Sequence, residues 1–108
     1  MITILLLLAL HATEAIAMHD DVLLKARYIA VEGTDIEYGQ GAIERNDLRH
    51  RPLPHLEWLI LVDGPADPAE WQARLNDTVD PKHGSFTVEC ATPEEEKAVR
   101  EGRIAMQK

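Results

Sequence analysis

At 108 residues and 12.1 kDa the chain is long enough for one hydrophobic core and too short for two. An apolar content of 45% argues against intrinsic disorder, and the single cysteine, Cys90, excludes an internal disulfide and a cysteine-based zinc cluster. Acidic residues outnumber basic ones 19 to 11, giving a formal charge of −8 that repels phosphate backbones and argues against general nucleic-acid binding.

Ile2–Leu10 is an almost unbroken aliphatic run, interrupted only by Thr3. Nine helical residues span about 14 Å, well short of a bilayer core of about 30 Å, so no transmembrane helix is expected. The run is expected to be a buried element of one domain covering residues 1–108, with residues 1–17 as its apolar N-terminal segment and a cytoplasmic location. A signal peptide is the alternative, with Ala15-Ile16-Ala17 as the cleavage site and export as the consequence; it lacks a Lys or Arg ahead of the apolar run. Thr13–Val22 has weak helical amphipathicity and is read as a short helix.

Leu24–Val31 and Ile36–Arg45 alternate apolar and polar residues around Glu32-Gly33-Thr34-Asp35, a pattern that reads as an antiparallel hairpin. A helix from Asp20 to Val31, capped by Asp20 and stopped by Gly33, is the competing assignment. Asn46–His55 contains Pro52 and Pro54 and is read as a loop. Leu56–Val62 is the clearest core strand of the second half and stops at the turn-forming Asp63-Gly64-Pro65.

Asp67-Pro68-Ala69-Glu70 predicts a helix start: Asp67 can accept from free backbone N–H groups, and Pro68 has the φ that the first helical position needs. That helix should run to about Asn76 with Trp71 and Leu75 on one face. Asp80–Gly84 is a turn, and Phe86–Cys90 alternates as a strand. Thr92-Pro93-Glu94-Glu95 repeats the helix-start pattern, with Glu94, Glu95 and Glu96 at the positive end of the dipole and an end near Gly102. Arg103–Lys108 is a tail or a short last strand. The sum is an α+β fold, a mixed or antiparallel sheet of about four to five strands with two or three short helices. Its core is drawn from Ile2–Leu10, Trp58–Val62, Trp71, Leu75, Phe86, Val88 and Val99.

Catalytic motifs are missing from the sequence. Ser85, the only serine, lies in Gly84-Ser85-Phe86 rather than a G-x-S-x-G elbow. Gly39-Gln40-Gly41 places Glu44 where a dinucleotide fingerprint needs a third small residue, so it reads as a bulge or a close backbone approach in a strand. The five histidines show no metal-binding spacing; His19-Asp20-Asp21 is the one fragment that would suit a small metal-dependent hydrolase. Asp63 follows a core strand, where catalytic acids often sit, and is equally a good turn former.

The feature with most chemical content is a basic segment in an acidic chain: Arg45, Arg49, His50, Arg51 and His55, stiffened by Pro52 and Pro54. Guanidinium groups pair bidentately with carboxylate or phosphate, and a stiff loop loses less entropy on binding. The competing role for these arginines is internal pairing with the chain's surplus carboxylates. The sequence thus points to a small non-enzymatic interaction or assembly protein, an inhibitor or accessory subunit, that uses no cofactor. It is expected to contact a protein partner, as a homodimer or a hetero-complex, through Arg45, Arg49, His50, Arg51 and His55.

Overall fold

The computed structural model describes residues 21–46 and 48–106. The expectations for Ile2–Leu10, for the helix beginning at Thr13 and for His19 and Asp20 as metal ligands lie outside these residues. The elements in chain order are strand β1 (Val22–Ala30), helix α1 (Glu37–Arg45), strands β2 (Arg49–Leu53) and β3 (Glu57–Val62), helix α2 (Pro68–Asn76), strand β4 (Gly84–Cys90) and helix α3 (Pro93–Arg100). The four strands form one antiparallel sheet in the order β2-β3-β1-β4. Two β-α-β units are thereby interleaved, each with a strand of the other between its own two, the connectivity called ferredoxin-like.

The period-2 alternation of the strands decides which residues make the core. Leu24, Ala26 and Tyr28 of β1, Trp58, Ile60 and Val62 of β3, and Phe86 and Val88 of β4 are buried on one face. They pack with Ala42 and Ile43 of α1, Trp71 and Leu75 of α2, and Val79. Trp58, Ile60, Val62, Trp71, Leu75, Phe86 and Val88 were expected in the core, while Leu59 is buried on the opposite face, Leu61 beside it is only half-buried, and so is Val99.

Two elements differ from the sequence expectation. Ile36–Arg45, expected as the second strand of a hairpin, is helical over Glu37–Arg45. Asp35 Oδ1 accepts from the Glu37 N–H at 2.9 Å, and Glu37 and Arg45 complement the dipole at opposite ends. Gly39 weakens the helix intrinsically but lets it lie against Tyr28: a Cβ there would stand 2.6 Å from the Tyr28 ring. The close approach expected of this glycine is present, in a helix rather than a strand. The second difference is Asn46–His55, where Arg49–Leu53 is not a loop but an edge strand paired to β3. Proline is tolerated there because an edge strand has N–H positions that no neighbour needs.

The helix starts follow the sequence closely. Asp67 Oδ1 accepts from the Ala69 N–H, and Thr92 and Glu95 form a reciprocal capping box. No helix among the described residues is long and apolar enough to cross a membrane.

Candidate interaction face

The sheet face opposite α1 and α2 is built by the other residues of each strand. The register aligns Leu53, Glu57, Arg27 and Thr87 in one row across the sheet, and Arg51, Leu59, Lys25 and Glu89 in the next. Ile29 and Ser85 lie beyond the first row, and Arg49, Leu61 and Leu23 beyond the second. Helix α3 shares this face at one end: Lys25 Nζ is 3.6 Å from Glu95 Oε1 and 3.7 Å from Glu89 Oε1. The other end is open, with Arg27, Ile29, Ser85 and Thr87 exposed, and Arg51 is exposed where the second row reaches the β2 edge.

The five basic residues singled out in the sequence separate into different environments. Arg45 closes α1 onto the α2–β4 connection by donating from Nη2 to Thr78 O at 2.7 Å. Arg49 pairs with Asp63 at 3.1 Å and Asp21 at 3.5 Å. That pairing also gives Asp63 an ion-pair role in the turn after β3. His50 points to the core face and is buried, with Nδ1 3.1 Å from Leu48 O. Arg51 and His55 remain on the solvent side, and Arg51 makes no ion pair with another described residue.

The same holds for Arg27, which lies far in the chain from the basic segment. Its signal was the alternation of Lys25, Arg27 and Ile29 on one face of β1. Arg27 borders a depression of ≈ 220 Å³ lined by Lys25, Arg27, Glu57, Thr87 and Glu89, with Val88. The face therefore presents Arg27, with Glu57 as the acidic residue of its row, and Arg51 at the β2 edge of the next row.

His55 sits at the tip of the β2–β3 hairpin, a three-residue connection closed by the Leu53–Glu57 pair. His55 and Leu56 both have positive φ, 65° and 69°. That conformation is unfavourable for a bulky side chain, and it is held here by the Tyr28 N–H donating to Leu56 O at 2.9 Å. The hairpin is thus a fixed ledge, with Pro52 and Pro54 exposed beside Arg51.

The β4 edge of the sheet is closed to further strands, and the β2 edge is interrupted. On the outer edge of β4, Asn76 of α2 accepts from the Phe86 N–H at 2.7 Å and donates to Phe86 O at 3.2 Å, and Gln72 accepts from the Val88 N–H at 2.9 Å. These amides take the place of a fifth strand. On the β2 edge, Pro52 has no N–H to offer.

Two further polar groups stand out in the core. The Tyr28 hydroxyl and His83 Nδ1 are buried without a hydrogen-bond partner. Burial, reinforced by the neighbouring Tyr38, raises the Tyr28 pKa above its ordinary value of 10.0. Tyr38 stacks on His83 with ring centroids 4.0 Å apart. No group of three or more His, Cys, Asp or Glu residues suited to a metal ion occurs among the described residues.

No family model matches this chain, and neither a curated protein nor a solved structure shows significant similarity to it. The functional reading therefore rests on the site itself.

Proposed function

We propose that this protein is a non-catalytic interaction module that takes an acidic segment of a partner protein across the open end of its sheet face. The observation that carries the reading is the pair Arg27 and Arg51: two exposed guanidinium groups on one face of the sheet, two strands apart in adjacent rows, neither ion-paired with a described residue, in a chain of net charge −8. Elsewhere on this face positive charge is already committed, Arg49 to Asp63 and Asp21 and Lys25 to Glu89 and Glu95. Exposed Ile29, 53% accessible, supplies apolar contact next to them. With the β4 edge closed and the β2 edge interrupted by Pro52, the partner lies over the sheet rather than extending it.

The test uses the full chain as bait in extracts of the cells that make it, with captured proteins quantified against variants. Replacing Arg27 and Arg51 together by alanine should deplete a specific acidic partner, since a desolvated charge-assisted contact contributes about 1.5–3 kcal/mol. Arg49→Ala should leave that partner bound. Equal capture by the wild type and the Arg27/Arg51 double variant overturns the reading.

A further inference from the structure

We infer that this face selects carboxylates over phosphates, so that its partner segment is rich in Asp and Glu and is not recognised through phosphorylation. The inference rests on the interaction reading above and deepens it. Arg27 is bracketed in its row by Glu57 on β3 and Thr87 on β4, with paired strands about 4.8 Å apart. In the next row Lys25 lies between two carboxylates, Glu89 and Glu95, and its charge is taken up by them. Among the described residues that line the depression, the cation left to meet an incoming anion is therefore Arg27, and it stands beside Glu57.

The depression at Arg27, which Arg51 does not line, tolerates one negative charge and not two. A carboxylate brings a single charge, matches the guanidinium fork in plane, and can accept from the Thr87 hydroxyl. A phosphomonoester brings about −1.5 to −2 at neutral pH. Its second charge finds no free cation among the described residues lining the depression and is repelled by Glu57 and Glu89. The same arithmetic weighs against a nucleic-acid strand, whose affinity depends on several Lys or Arg contacts to successive phosphates.

Two fluorescently labelled peptides of the same length test this against the full chain by anisotropy at low salt, one alternating glycine with glutamate and the other glycine with phosphoserine. The glutamate peptide should bind about two- to fivefold more tightly, the range that one exposed charge contact carries. Glu57→Gln should close that gap by strengthening the phosphoserine peptide, and Arg27→Ala should weaken the glutamate peptide. Equal or tighter binding of the phosphoserine peptide to the wild type overturns the selectivity and leaves the interaction reading standing. Binding of neither peptide overturns both.

Discussion

Removing the Tyr28 hydroxyl is expected to leave the protein as stable as before or more stable. The group is buried without a partner, and an unsatisfied buried hydroxyl costs about 1–3 kcal/mol. Tyr28→Phe keeps the ring contacts with Phe86, 5.0 Å away, and loses only the orphan oxygen. Urea denaturation at neutral pH checks it; a clear loss of stability would mean that the hydroxyl is hydrogen-bonded in solution. The variant should also alter the alkaline limb. Because the folded pKa is raised above the unfolded value of 10.0, the contribution is complete below pH 10.0 and lost as pH rises through the folded value. Tyr28→Phe should flatten that decline. On the opposite side of the ring, Gly39→Ala drives a methyl into Tyr28 and should cost about 1–3 kcal/mol by overpacking. An alanine tolerated at Gly39 would contradict the close packing of α1 on β1.

At the scale of elements, the contacts that hold α2 and α3 in place give opposite kinds of test. Asn76→Ala leaves the Phe86 N–H and carbonyl of the β4 edge without partners and should destabilise by about 1–3 kcal/mol, with a greater tendency to self-associate through the exposed edge. Melting and sedimentation measure the two effects, and a variant unchanged in both would mean that the amide is dispensable. In α3, burial works to raise the Glu95 pKa, but Thr92, whose N–H donates to Glu95 Oε1 at 2.9 Å, and the charge of Lys25 outweigh it, so it falls below 4.5. A depressed carboxylate stabilises the fold above its unfolded value and loses that contribution as pH falls below 4.5. Glu95→Gln should therefore lower stability at neutral pH and flatten its acid dependence.

The same elements show what can be read from a sequence. The starts of α2 and α3 were legible because capping is local: Asp67 and Thr92 act on backbone groups within three residues of themselves. Helix α1 was not, since Ile36-Glu37-Tyr38 alternates like a strand and Gly39 and Gly41 oppose a helix. The compensation is tertiary, the contact of Gly39 with a tyrosine eleven residues earlier. Strand β2 was hidden by Pro52 for a related reason: only its place at the sheet edge makes proline acceptable there.

Across the whole molecule, the basic cluster was visible in the chain but its division of labour was not. Arg49 and Arg51 are two residues apart on one face of one strand, yet Asp63 and Asp21 meet the first and no described acid meets the second. Arg27 enters the site only through the β1–β3–β2 register, which no local pattern encodes. Arg49→Ala should accordingly lower stability by about 0.2–1 kcal/mol, while Arg51→Ala should leave it unchanged. A reversed pair of melting shifts would contradict the assignment. The most direct test of the face as the binding surface is an amide NMR titration of the full chain with the glutamate peptide. Shifts are predicted to concentrate at Arg27–Ala30, Arg51–Leu53, His55 and Ser85–Thr87, and to leave α1 and α2 unmoved. Shifts centred on the two helices, with the β2–β3 hairpin silent, would contradict it.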